Sequence, residues 1–243
     1  MLHVDPELPF AVVCDGMGDG EGSRVAGTTA ARTFTEQVHA GWPAVGAAPL
    51  RAAVAETQRR VRQAGAAQPG LTGCTLTALV VEPDGEQGWL VQLGDSRAYR
   101  LRDGLLELVT VDHTMAWLGL LHGWWPADSP EAARARYQLL RYVGHPDRPE
   151  PDLLAVPLRR GDTWLLCTDG ISDQLGYHRL RDLLAARRPG AHRRGPARRQ
   201  PGRGRRGQRH SRRATRPPGA ARPALTASSA DPPGAPCSRD YGE

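Results

Sequence analysis

Three aspartates stand where apolar runs of this chain stop. Val12-Val13-Cys14 empties into Asp15-Gly16-Met17-Gly18-Asp19-Gly20, Trp164 to Thr168 into Asp169-Gly170, and Trp89 to Leu93 into Gly94-Asp95-Ser96. An apolar strand ending in Asp-Gly delivers a carboxylate to the rim of a rigid frame, and the glycines let a ligand approach the backbone. Carboxylate and carbonyl oxygens are the ligands of hard cations such as Mg²⁺ and Mn²⁺. Two such ions roughly 3.5–4 Å apart can activate water and clamp a phosphoryl group for in-line attack, with no nucleophilic side chain. Singly, each Asp-Gly is also an ordinary turn dipeptide, and Asp95 reads equally as a turn between hairpin strands. The second Asp-Gly, about 150 residues after the first, argues for two carboxylates converging on one centre. Residues 1–186 offer no competing chemistry: no Ser in a Gly-x-Ser-x-Gly elbow, no Gly-Lys-Ser/Thr loop and no histidines at ligand spacing.

The elements that must position these aspartates follow from periodicity and punctuation. Residues 8–14 read as a buried strand, 23–39 as a helix rich in Ala and Thr, and 50–63 as a second helix with Val54 and Val61 on one face. Strands are expected over 75–81, 89–93, 97–102 and 105–109, the last two joined by the hairpin dipeptide Asp103-Gly104. Ser129 and Pro130 open a helix expected over 130–143. Strands at 153–158 and 163–168 follow, then a helix over 173–186 capped by Ser172, with Leu175, Leu183 and Leu184 toward the core. Strands in hairpins with helices between groups, instead of alternating βαβ units, indicate an α+β protein: antiparallel sheet covered by helices.

Charge divides the chain. Residues 1–186 carry 17 Arg against 23 Asp and Glu, whereas 187–243 carry 15 Arg against three, so the net +6 belongs to the tail. There is no Lys and no Asn, which with abundant Ala, Gly and Pro fits a gene of very high GC content. Cys14, Cys74 and Cys167 fall in apolar runs and none has CxxC spacing, so buried reduced thiols are expected in place of a zinc site or disulfides. No basic leader precedes an apolar core and no run of 18 apolar residues occurs; a cytoplasmic protein with no membrane partner is expected.

Five blocks in order, Asp15-Gly16-Met17-Gly18, Gly73-Cys74-Thr75-Leu76, Leu93-Gly94-Asp95-Ser96-Arg97-Ala98-Tyr99, Asp112-His113-Thr114 and Cys167-Thr168-Asp169-Gly170-Ile171-Ser172-Asp173, resemble the bacterial metal-dependent (PPM, type 2C) serine/threonine protein phosphatases. The resemblance implies two antiparallel β-sheets sandwiched between helices over residues 1–186. It implies hydrolysis of phosphoserine or phosphothreonine in a protein substrate by a metal-bound hydroxide, with Asp15 and Asp169 as catalytic residues. Asp15 would bridge two Mn²⁺ or Mg²⁺ ions, Gly16 would offer its carbonyl to one, and Asp169 would ligate the other. Asp95 would sit where bacterial members hold a third, weaker ion. Asp19 reads as a solvated loop carboxylate, Asp173 as a helix N-terminal charge, and His113 as a structural hydrogen-bonding histidine. Trp124-Trp125 falls where relatives carry a flap beside the substrate cleft.

The departures from the family are equally specific. The resemblance calls for an N-terminal strand with a phosphate-holding Arg and a Glu-Asp pair, and for a late Asp-Asn motif; neither is found, and Asp5-Pro6-Glu7 is no replacement. Impaired activity is therefore expected, with a non-catalytic phosphoprotein- or partner-binding module as the alternative. Residues 187–243, rich in Arg, Pro and Gly, are expected to be disordered. They could form a nucleic-acid-binding arm, an inert linker, or an out-of-frame translation, which is favoured because the tail starts where the family's last strands should continue. Base-stacking aromatics are missing from it, which argues against nucleic acid as a partner; a monomer is expected.

Overall fold

Phe10–Val13 and Leu76–Val81 are apolar or small at every position, and strands of that kind need cover on both faces. The computed structural model, which describes residues 1–18, 20–68, 70–186 and the backbone of 224–228, supplies it with two stacked sheets and an outer layer of helices. In chain order the elements are β1 (Leu2–Val4), β2 (Phe10–Val13), α1 (Glu21–Gly41), α2 (Ala47–Gly65), β3 (Leu76–Val81), β4 (Gln87–Leu93), β5 (Arg97–Arg102), β6 (Leu105–Leu108), α3 (Met115–Leu121), α4 (Pro130–Ala135), β7 (Asp152–Pro157), β8 (Thr163–Cys167), α5 (Asp169–Ser172), α6 (Tyr177–Ala186) and β9 (Ala224–Ser228). One sheet runs β1-β2-β3-β4-β7, entirely antiparallel. The other runs β6-β5-β8-β9, antiparallel except for the β8–β9 pair.

Alternation along each strand sorts residues between two cores. On β2 and the residue after it, Phe10, Val12 and Cys14 pack toward Ala26, Ala30 and Phe34 of α1 and Leu50, Val54 and Val61 of α2. Ala11 and Val13 point the other way, meeting Ala98, Trp164 and Leu166 of the second sheet. The outer face of that sheet, with Tyr99, Leu101 and Cys167, is covered by Leu180 and Leu184 of α6. The layers are therefore helix, sheet, sheet, helix, as the α+β sandwich requires. The short β1 is tied to α1 through a shared carboxylate: Asp5 Oδ2 accepts from His3 Nε2 (3.0 Å) and from His39 Nε2 (2.7 Å).

Two expected helices differ. Ser129 caps α4 as expected, its hydroxyl accepting from Ala132 N–H, but the helix stops at Ala135. Beyond it the backbone finds partners elsewhere: Gln138 C=O accepts from Met115 N–H, Leu140 N–H donates to His113 C=O, and Val143 exchanges both bonds with Cys74. The expected helix 173–186 starts later, as α6 at Tyr177, and a separate short helix, α5, precedes its expected range. Ser172 ends α5 instead of opening the next, and α6 starts after Gly176, whose carbonyl accepts from Leu180 N–H. Leu180 is consequently buried and Leu183 is not. Neither β1 nor α3 is among the expected elements; Thr114 caps α3 by accepting from Trp117 N–H.

The tail, 187–243, lies outside the described residues except at Ala224–Ser228, where strand replaces the expected disorder. This five-residue stretch contains no Arg, Gly or Pro, and its backbone pairs in parallel with the edge of β8, from Thr163↔Ala224 to Cys167↔Ser228.

Candidate active site

The ends of β2 and β4 are joined by a chain of hydroxyls. Asp15 N–H donates to Thr75 Oγ1 (2.9 Å), and Thr75 N–H donates back to Asp15 C=O (2.7 Å). Thr75 Oγ1 lies 2.7 Å from Ser96 Oγ, and Thr77 Oγ1 donates to Ser96 C=O (2.8 Å). The strand end bearing Asp15 is thereby locked to the turn bearing Asp95. Gly16 lets the chain pass α1 closely, because a Cβ there would lie 2.3 Å from Ser23 C=O. Gly94 is needed twice over: its φ of +107° is left-handed, and a Cβ would meet Thr75 Cγ2 at 2.6 Å.

His113 holds that turn from the other side. Gly94 N–H donates to His113 Nδ1 (3.1 Å), and His113 N–H donates to Gly94 C=O (3.1 Å). With Nδ1 accepting, Nε2 carries the proton and donates to Asp152 Oδ2 (3.0 Å). Burial lowers the His113 pKa, which the Asp152 hydrogen bond only partly opposes. A buried imidazole engaged at both ring nitrogens, with Arg141 Nη1 also 3.0 Å from Nε2, is a positioning group for Gly94-Asp95, in agreement with its structural reading.

Asp95 and Asp169 open onto one cleft of about 30 Å³, shared with Arg97, Asp112, Arg136, Tyr137 and Asp173. The cleft is overloaded with negative charge. Burial, the neighbouring Asp169 and Asp112, and more weakly Asp15 push the Asp95 carboxyl up to about 7. Arg97 does not relieve it, because its guanidinium forks onto Asp112, with Nε 3.0 Å from Oδ1 and 3.2 Å from Oδ2. Asp169 is oriented by Gly170 N–H, which donates to its Oδ1 (2.8 Å). Asp173 pairs with Arg136 of the α4 C-terminus. It is the C-cap of α5, so the expected helix-N-terminal role does not hold.

The sandwich, the ordered blocks at its strand ends and a cleft lined by aspartates now stand together. A sequence profile described as "Protein phosphatase 2C" matches residues 2–197. The chain belongs to the protein phosphatase 2C family. It is 26% identical over 184 residues to the serine/threonine phosphatase stp of Listeria welshimeri, covering 74% of this chain and 73% of that one. Among solved structures it is similar to PppA, a key regulatory component of T6SS in Pseudomonas aeruginosa, at a TM-score of 0.64 and 31% identity over 76% of each chain. It is equally similar to the serine/threonine phosphatase PstP/Ppp of Mycobacterium tuberculosis: TM-score 0.64, 30% identity, 75% of this chain and 76% of that. A PstP catalytic domain has been solved with two manganese ions.

Whether a divalent cation suits this phosphatase 2C cleft can be tested on its own donors. Every candidate ligand is a carboxylate or carbonyl oxygen, the donor type of Mg²⁺ and Mn²⁺. The strain on Asp95 is of the sign a cation relieves. Yet among the described residues no three of His, Cys, Asp and Glu are placed to enclose an ion. The donors fit in kind and are short in number.

Of the four residues singled out as metal ligands, Asp95 and Asp169 share the cleft. Asp15 reaches Asp95 by its field and by the hydroxyl chain, and Gly16 sits beside Asp15 at the same strand end. Asp19 lies outside the described residues. Sequence reasoning gave no role to Ser96, Asp112, Arg136 or Tyr137. The first two stand inside quoted motifs and were findable; Arg136 and Tyr137 were hidden in a helix that ends earlier than its pattern implies.

Proposed function

We propose that this chain hydrolyses phosphoserine and phosphothreonine in proteins with metal-activated water, at a rate held down by an incomplete ligand set. The observation that carries it is the convergence of four aspartate charges on the Asp95 turn, a charge excess that a hard cation would neutralise. Asp15, the Gly16 carbonyl, Asp169 and Asp95 would hold Mn²⁺ or Mg²⁺. A bound ion of this kind supplies hydroxide near neutral pH and neutralises a phosphoryl group. The chain's own part is positioning: Thr75 and Ser96 fix the two strand ends, His113 fixes Gly94, and Gly170 fixes the Asp169 carboxylate.

The experiment is hydrolysis of an aryl phosphate with and without millimolar Mn²⁺, beside calorimetric titration of Mn²⁺. Slow turnover that depends on Mn²⁺ and is abolished by Asp15→Ala is expected. Robust turnover would refute the impairment; Mn²⁺-independent turnover would refute the metal role. A second reading, a phosphoprotein-binding module without turnover, is favoured by the lack of an ion-enclosing triplet among the described residues. Phosphopeptide binding with no hydrolysis at any Mn²⁺ concentration would establish it. The nucleic-acid alternative rests on the Arg-rich tail and would show as salt-dependent binding to random DNA.

A further inference from the structure

The cleft holds two guanidinium groups, and they differ in freedom. Arg97 is bound in a fork by Asp112 at its base. Arg136 stands at the end of α4, where the acidic cleft opens into a larger groove of about 310 Å³ between α3 and α4. Its only ion-pair partner among the described residues is Asp173, and both side chains are partly exposed, at 43% and 30%. Its guanidinium carbon also lies 5.4 Å from the centre of the Tyr137 ring, a flat surface on which an arginine can turn without losing contact. Arg136 is therefore the cleft cation that can change partners at little cost.

A phosphoryl dianion entering this cleft faces Asp95, Asp112, Asp169 and Asp173. A planar guanidinium offers paired N–H donors that match phosphate oxygens, and an exchange from a half-exposed carboxylate to a dianion is favourable. Resting on the phosphatase reading and adding to it, we infer that Arg136 is the substrate-phosphate-binding arginine of this chain, held in reserve by Asp173 until a phosphoryl group displaces it. Because Arg136 also borders the groove lined by Trp117, Leu120 and Trp125 together with Asp128 and Ser129, its movement places the phosphate at the mouth of a groove of mixed apolar and polar lining that can receive side chains flanking the phosphorylated residue.

Binding of inorganic phosphate, measured calorimetrically on the full chain with and without Mn²⁺, tests this without requiring turnover. Arg136→Ala should weaken phosphate binding by about 10- to 100-fold, the range for a charge-assisted hydrogen-bonded pair, with partial recovery in Arg136→Lys. Arg134→Ala removes a charge from the same helix on its exposed side and should change nothing. Asp173→Asn should tighten binding by freeing Arg136, and that gain should vanish in the Asp173→Asn/Arg136→Ala double variant. If the gain persists there, only the removed negative charge matters and the assignment is overturned. Wild-type turnover with a KM for aryl phosphate unmoved by Arg136→Ala overturns it too, while leaving the phosphatase reading intact. Arg136-dependent phosphate binding without turnover supports the assignment and sinks the catalytic reading instead. Absence of any saturable phosphate binding by the wild-type chain overturns it outright.

Discussion

Replacing Asp95 by Asn should stabilise the metal-free protein, and only at pH values where Asp95 would be ionised. In the fold its carboxyl is pushed from 3.8 to about 7, first by burial and then by Asp169 and Asp112. A carboxyl with a raised folded-state value keeps its proton in the native state after the unfolded chain has lost it. Stability therefore falls as pH rises from about 4 to about 7 and levels off above, which is the reverse of an ordinary paired carboxylate. A rise of that size is equivalent to about 4 kcal/mol for a fully buried group. Solvent at the cleft mouth reduces this to roughly 2 kcal/mol. Asn keeps the shape of the side chain and removes the charge. In chelator at about pH 8, Asp95→Asn should raise the melting temperature by about 4–8 °C for a domain of this size. At about pH 4 the two proteins should melt together. Parallel melting curves across that pH range, with no convergence in acid, would refute the charge-repulsion argument. In millimolar Mn²⁺ the wild type should recover the deficit at high pH, and the variant should gain less.

Gly16→Ala should cost about 2–3 kcal/mol in urea unfolding, since the added methyl would lie 2.3 Å from Ser23 C=O and α1 has to move to admit it. Asp162→Ala should lower stability by about 3 kcal/mol, because it removes a carboxylate only 1% exposed and leaves the Arg102 guanidinium, among the described residues, hydrogen-bonded to the Pro157 carbonyl alone. There burial works against the Asp162 charge, but the Arg102 and Arg159 hydrogen bonds outweigh it and hold the carboxyl below its ordinary value; the stabilisation should thus be fully present above that ordinary value and be lost as pH falls below it through the lower folded-state value. His113→Ala should speed amide exchange at Gly94, whose N–H it leaves unpaired; unchanged exchange would remove the positioning role.

What could be read from residue order alone was local and repetitive. Strands at Phe10–Val13, Leu76–Val81 and Thr163–Cys167 announce themselves because burial on both faces demands continuous apolar runs, and the three aspartates are visible because they follow the runs of Phe10–Val13, Gln87–Leu93 and Thr163–Cys167. The long helices α1 and α2 show in the three- and four-residue spacing of their buried residues, from Ala26 to Phe34 and from Leu50 to Val61. The sandwich itself was legible through the ordered blocks. Elements whose hydrogen bonds are satisfied at a distance were not. The stretch after Ala135 carries a helical pattern but bonds to His113, Met115 and Cys74, far away in sequence. Ala224–Ser228 becomes strand by adding to the open edge of β8, a partner that no local pattern reveals. The site divides in the same way. Residue types and spacing determined that Asp15, Asp95 and Asp169 end strands; the tertiary structure alone decided that their charges converge and that Arg136, from a separate helix, stands beside them. Electrostatic fields and ion pairs act through space, so their partners are set by how the layers stack, and a linear pattern carries no record of that distance.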